Sequence, residues 1–277
     1  EFFDLKAKRA RQKLGGPNPF VDPEAFAKFM AVAEAAFARD LAARGCKLVL
    51  VARREDRLKQ LAAELAGTET RVVALDLRAP DAATSLHERL RAEGVAVDVL
   101  VNNAGFGLYG PFLASEWNRQ RDMLELDVVA LTHLTHVFAR EMAERGAGWV
   151  LLVSSIGAFQ PTPNYATYSA AKSYVLSFGE ALAAELRPRG VRVCTSCPGV
   201  TATEFLAVAG QKRSLYQRAL MMQSPAVVRS SVRALLAGRT SVVPGIGNKV
   251  AAFSVRLMPR RMQAAMAASA MTMGAEA

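Results

Sequence analysis

From Lys47 to Val243 the chain alternates short, β-branched apolar runs with longer segments of helical periodicity, and this alternation restricts the fold more than any other feature of the sequence. The apolar runs are Lys47–Ala52, Arg71–Ala74, Val97–Val101, Trp149–Ser154, Val191–Ser196 and Thr240–Val243. They are nearly continuous rather than alternating polar with apolar, as strands covered on both faces are. Helical periods lie between them at Glu55–Leu65, Asp81–Glu93, Ser115–Glu144, Ala166–Arg187 and Ala226–Ala237. Parallel strands need such crossover helices, so the expected fold class is α/β, a doubly wound parallel sheet. Gly45, Gly94, Gly146 and Gly190 each stand just ahead of a strand run, where a helix C-terminus favours glycine.

Upstream of Ala35 the pattern differs. Leu5–Leu14 is basic, and Gly15-Gly16-Pro17-Asn18-Pro19 is a turn-rich break. Asp22 then offers an N-cap, with Pro23 in the first helical position. No glycine or proline follows until Gly45, which predicts one helix of about 22 residues, roughly 33 Å long. The chain is thereby divided into an N-terminal helical appendage (1–34), an α/β domain (35–250) and a basic, Met- and Ala-rich tail (251–277).

Composition bounds the function classes. A hydrophobic share of 51% with 22% charged residues supports a large core and excludes a disordered chain. No run of eighteen apolar residues indicates a membrane span. Cys46, Cys194 and Cys197 make no disulfide framework, and the opening Glu1-Phe2-Phe3-Asp4 shows no leader, so a cytoplasmic setting is expected. The net charge of +10 is uneven: residues 206–277 carry ten Lys and Arg against one acid, Glu276. Only two aromatic residues, Tyr216 and Phe253, stand among these cations, which argues against nucleic acid as a partner. Two readings stay open for the tail, a solvated basic face, or contact with an anionic membrane surface or an oligomer interface. Pro259 is expected to divide it into two helical pieces.

Tyr168 and Lys172 stand four apart in a helical period and therefore on one helix face. An ammonium beside a phenol favours phenolate, which predicts a lowered Tyr168 pKa and an exchangeable proton near neutrality. Ser155 directly follows the run Trp149–Ser154. Asn102-Asn103-Ala104-Gly105 closes Val97–Val101, and Cys197-Pro198-Gly199 closes Val191–Ser196. Polar or small residues thus cluster where three parallel strands end, the edge at which open sheets bind ligands. Cys194 and Cys197 have zinc-ligand spacing without a second pair, and His87, His133 and His136 read as packing or surface residues, so no metal is expected.

These motifs, in this order and with Ser155 thirteen residues before Tyr168, resemble the short-chain dehydrogenase/reductase family over about residues 35–250. The resemblance implies a Rossmann-like sheet and hydride transfer between NADP(H) and a small-molecule carbonyl or alcohol, by an enzyme that is homo-oligomeric. It implies that Ser155 orients the substrate carbonyl, that Tyr168 is the acid/base, and that Lys172 tunes the phenol and binds the nicotinamide ribose. Asn103, Ala104 and Gly105 then support the adenosine side, and Pro198, Gly199 and Thr203 line the nicotinamide pocket. Asp76 matches the acid that hydrogen-bonds adenine. Arg53, with Arg54, follows the run Lys47–Ala52 where an arginine suits the extra phosphate of NADP.

The sequence departs from the family pattern twice. Asp127 stands where the family carries a catalytic asparagine that holds a backbone kink, which adds a carboxylate near Lys172. The family's first strand and its Thr-Gly-x-x-x-Gly-x-Gly turn, whose N–H groups cradle the pyrophosphate, have no counterpart in Phe29-Met30-Ala31-Val32-Ala33-Glu34. The sheet is therefore expected to lack its usual first strand, replaced by the long N-terminal helix, and NADPH to bind poorly or not at all. Residues 1–40, with Phe2-Phe3-Asp4-Leu5 and the segment Gly15 to Pro23, resemble the C-terminus of a metallo-β-lactamase, which suggests a chimera. The alternative to an active oxidoreductase is thus a cofactor-defective pseudoenzyme or a chimeric fusion.

Overall fold

The computed structural model describes residues 28–32, 35–201, 209 and 221–272. Seven parallel strands form one sheet: β1 (Lys28–Val32), β2 (Lys47–Ala52), β3 (Thr70–Ala74), β4 (Val99–Asn102), β5 (Gly148–Val153), β6 (Val191–Ser196) and β7 (Ser241–Val242). Their spatial order is β3-β2-β1-β4-β5-β6-β7. The order reverses between β1 and β4, which opens a crevice at the carboxyl ends of the strands. The helices are α1 (Ala35–Ala42), α2 (Glu55–Glu64), α3 (Ala82–Ala92), α4 (Trp117–Leu124), α5 (Leu131–Arg145), α6 (Ala166–Leu186), α7 (Ser224–Leu236), α8 (Ile246–Val255) and α9 (Arg260–Thr272).

Burial explains the unbroken apolar runs. Leu48 to Val51 of β2 and all of β4 are buried, because helices cover both faces of the sheet. One core packs Leu86 and Leu90 of α3, Leu134 and Phe138 of α5, and Val175 and Ala183 of α6 against Val49, Val51, Leu100, Val150 and Leu152. The other packs Phe37 and Leu41 of α1, Leu58 of α2, and Val228, Val232 and Leu235 of α7 against Leu48, Leu50, Val99, Val101 and Leu151.

Three expectations are corrected. Residues 23–44 are not one helix: Lys28–Val32 is the central strand, paired in parallel with β2 (Val32 opposite Val51) and with β4 (Ala31 opposite Val101), and among the described residues of this span only Ala35–Ala42 is helical. The sheet therefore keeps its first strand. A slot between two buried parallel strands leaves both edges unsatisfied unless a strand fills it, and that requirement overrides the helical reading of Lys28-Phe29-Met30-Ala31-Val32. Residues 28–32 consequently belong to the α/β domain rather than to an appendage, and α8 crosses the expected boundary at 250–251. Finally, Ser115–Glu144 is not one α-helix: a π-helical segment, Glu125–Ala130, divides α4 from α5. The break between α8 and α9 falls at Pro259, as expected.

Candidate active site

The site begins where β5 ends. Ser154 donates to the Lys172 carbonyl (2.7 Å) and Ser173 to the Ala158 carbonyl (2.8 Å), which ties the first turns of α6 to the strand end. Ile156 N–H donates to the Pro198 carbonyl (2.7 Å), joining the ends of β5 and β6. Ser155 caps a short 3-10 turn, its Oγ accepting from Gly157 N–H (3.1 Å). The same hydroxyl hydrogen-bonds the Tyr168 phenol, and Lys172 Nζ lies 5.7 Å from the centroid of the Tyr168 ring. The fold thus brings Ser155, Tyr168 and Lys172 together.

Lys172 is 5% exposed and Asp127 fully buried. Lys172 Nζ donates to the Val153 carbonyl (3.3 Å) and stands 3.0 Å from Asp127 Oδ2. Asp127 Oδ1 accepts from Phe106 N–H (3.1 Å). The π-helical segment carries the Asp127 side chain to this position, a common use of π-bulges at functional sites. Gly105 makes the approach possible: a Cβ there would come 2.8 Å from Asp127 Oδ1 and 3.1 Å from Lys172 Nζ.

The electrostatics differ from the spacing argument. Burial pushes the Tyr168 phenol above its ordinary value of 10, and the Asp127 carboxylate pushes it the same way, while the Ser155 hydrogen bond opposes both. The expected lowering by Lys172 is overturned: burial is the largest effect on the phenol, and the ammonium is itself paired with a buried carboxylate. Burial likewise raises the Asp127 pKa, against the attraction of Lys172.

A cavity of about 1290 Å³ runs along the strand ends. Arg53, Arg54 and Arg57 line it beyond β2, Asp76 beyond β3, Asn103, Ala104 and Gly105 beyond β4, and Pro198 and Gly199 beyond β6. Ser155, Tyr168 and Lys172 line it as well, and so do Ala35 and Phe37 in the first turn of α1. Thr203 lies outside the described residues. Arg78, which sequence reasoning missed, grips Asp76 through Nη2 (2.6 Å) and Nε (3.0 Å) and reaches Asp122 Oδ2 (2.5 Å). Its guanidinium holds the Asp76 carboxyl below the ordinary carboxylate value. Two other contributors were missed. Buried Asn248 donates to the Pro244 carbonyl (3.1 Å) and packs so closely on Gly199 that a Cβ there would lie 2.3 Å from its Oδ1. The second is the apolar wall that α8 and α9 supply through Ala252, Val255, Met266, Ala267 and Met271. Only the tight Asp76-x-Arg78 spacing was a local signal; the wall depends on tertiary packing. Cys194 and Cys197 are buried, and burial pushes both thiols up to about 12.

A crevice at the switch point of a parallel sheet, holding a Ser–Tyr–Lys set, defines a class, and comparison with known proteins agrees. The profile described as short chain dehydrogenase matches residues 35–214, and the chain belongs to that family. It is 32% identical over 183 residues to a very-long-chain 3-oxoacyl-CoA reductase of Anas platyrhynchos, covering 63% of this chain and 58% of that protein. A protein of the same name from Pyricularia oryzae is 32% identical over 204 residues, covering 71% and 59%. The chain thus spans less than two thirds of these relatives' length. Among solved structures, a short-chain dehydrogenase from Sphingobium yanoikuyae in complex with NADPH superposes with a TM-score of 0.74 at 26% identity, covering 84% of this chain and 94% of that one. The resemblance of residues 1–40 to a metallo-β-lactamase tail, and the chimera drawn from it, are not supported by these comparisons, and residues 1–27 lie outside the described residues.

Proposed function

We propose that the chain is an NADP(H)-dependent oxidoreductase that interconverts a carbonyl and an alcohol, with Tyr168 as its acid/base. The observation that carries this reading is one continuous cavity with Ser155, Tyr168 and Lys172 on its wall and Arg53 at its far end. Most of that cavity suits the dinucleotide. Arg53 would meet the 2′-phosphate, Asn103 to Gly105 the adenosine side, and the first turn of α1, whose N–H groups have no intrahelical acceptors, the pyrophosphate. When bound, NADPH supplies the hydride. Ser155 orients the substrate oxygen, and the Tyr168 hydroxyl gives that oxygen a proton as it becomes an alcohol. Lys172 and Asp127 fix the charge beside the phenol. The names of the relatives make a 3-oxoacyl thioester the first substrate to test.

A second reading rests on the connection between β1 and α1. Only Ala33 and Glu34 separate them, and neither is glycine, so the family's phosphate cradle is missing. A protein that keeps the Ser–Tyr–Lys set without that cradle would be cofactor-defective. Because α1 starts at Ala35 rather than continuing back to Pro23, its first turn keeps N–H groups without intrahelical acceptors, and Ala35 and Phe37 of that turn line the cavity, so the shortness of the connection is what counts against NADPH.

Titration with NADPH, followed by nucleotide fluorescence, separates the two readings. Active protein is expected to bind in the micromolar range and to lose turnover in Tyr168→Phe, with Arg53→Ala weakening NADPH more than NADH. If the wild-type chain fails to bind while a variant with Ala33-Glu34 replaced by Thr-Gly-x-x-x-Gly-x-Gly binds, the cofactor-defective reading stands. Full turnover in Tyr168→Phe would remove that phenol from the mechanism.

A further inference from the structure

The two C-terminal helices carry apolar side chains that the cavity does not use. On α8 and the turn after it, Ile246, Val250, Phe253 and Leu257 are 81%, 62%, 62% and 74% exposed. Their spacing of i, i+4, i+7 and i+11 puts all four on one stripe. The opposite side of α8, with Asn248, Ala252 and Val255, is buried, and Ala252 and Val255 line the cavity. Met262 of α9, 53% exposed, adds to the apolar surface of this pair of helices. Soluble chains rarely leave so contiguous a row of large apolar side chains in water without a partner for it.

The charges around the stripe identify the partner. Lys249, Arg256, Arg260 and Arg261 are all exposed, and residues 221–272 contain no Asp or Glu. Apolar side chains on one face of a helix, bordered by cations in a segment that holds no acid, match the interface of an anionic bilayer: the apolar row enters the acyl boundary and the cations meet the headgroup phosphates. A second copy of the chain fits worse, because a two-fold contact through this face would set its cations against one another with no acid to pair them. Among the described residues no helix is long and apolar enough to cross a membrane, so contact of this kind is peripheral.

We propose that the outer face of α8, with the adjoining start of α9, docks onto an anionic lipid surface. The test is co-sedimentation of the full chain with vesicles of pure phosphatidylcholine, and with vesicles holding about 30% phosphatidylglycerol, at low and high salt. The chain is expected to sediment with the anionic vesicles and to be released by salt. Phe253→Ser with Leu257→Ser should weaken binding roughly tenfold or more. Neither side chain lines the cavity, so melting temperature and NADPH titration should match wild type and show that the variant is folded. Arg256→Gln with Arg260→Gln keeps the stripe and should cost about fivefold per charge, on anionic vesicles only. No sedimentation of the wild type, equal binding to both vesicle types, or unchanged binding in the serine variant overturns the proposal. So does a wild-type dimer in light scattering that the serine variant converts to monomer, which would assign the stripe to self-contact. These readouts are independent of turnover, so they stand or fall apart from the oxidoreductase reading.

Discussion

At 3.0 Å from the Lys172 ammonium and closed off from water, the Asp127 carboxylate helps to determine how firmly Tyr168 keeps its proton. Burial is the largest effect and outweighs the lowering by the Ser155 hydrogen bond, and Asp127 adds a smaller push upward, so the protonated form needed for carbonyl reduction persists through neutral pH. Alcohol oxidation starts from the phenolate, so its rate should climb with pH and not level off below about pH 10. Asp127→Asn removes the buried negative charge, favours the phenolate, and should move the oxidation profile roughly one pH unit or more toward acid. A pH–rate profile identical to wild type would mean that Asp127 carries no charge in the working site. Asp127→Ala has a different consequence: it leaves Lys172 buried beside an empty space, which should cost about 3–5 kcal/mol in denaturant unfolding, against a smaller loss for the asparagine variant that keeps the Phe106 N–H bond. Ser155, Tyr168, Lys172 and the carboxylate beside Lys172 were all legible as residues. The sign of the Tyr168 shift was not, because helical spacing reports the nearest neighbour and says nothing of burial.

Helix α6 carries both Tyr168 and Lys172, and its seat on the sheet is set by one missing side chain. A Cβ on Gly179 would lie 2.0 Å from Thr195 Oγ1 and 3.0 Å from Leu152 Cδ1, so the helix rests against β5 and β6 at backbone distance. Two effects compete in Gly179→Ala. Alanine gains about 1 kcal/mol of helix propensity. Overpacking costs roughly 1–3 kcal/mol and pushes the helix away from the sheet. The clash should win, lowering the melting temperature and also turnover, since the displaced helix moves both Tyr168 and Lys172; a variant more stable than wild type would refute the close contact. At this scale much was readable. Gly45, Gly94, Gly146 and Gly190 all adopt positive φ, between 67° and 79°, as helix-ending glycines ahead of strands should. β1 escaped because Lys28-Phe29-Met30-Ala31-Val32 holds a single β-branched residue and runs without a turn signal into helix formers on both sides. Its strand identity comes from its neighbours β2 and β4, not from its own composition.

For the molecule as a whole, the position of β1 decides whether the sheet is one piece. It holds β2 and β3 on one side and β4 to β7 on the other, with backbone pairing along both of its edges. A truncated chain beginning at Ala35 loses that pairing and should fail to give a cooperative thermal transition; a truncated chain that melts cooperatively near the wild-type temperature would show that the two halves of the sheet can close on each other. Helix α8 joins two surfaces in a different way, since one of its sides borders the cavity and the other faces outward. Two binding events on one rigid body are bound by reciprocity. If filling the cavity shifts α8, the outer face changes its affinity by some factor, and occupation of the outer face must then change the affinity of the cavity by that same factor. A ten-residue helix is in this sense a shared term in two equilibria, and a measurement of either one in the presence of the other's ligand reads the coupling directly.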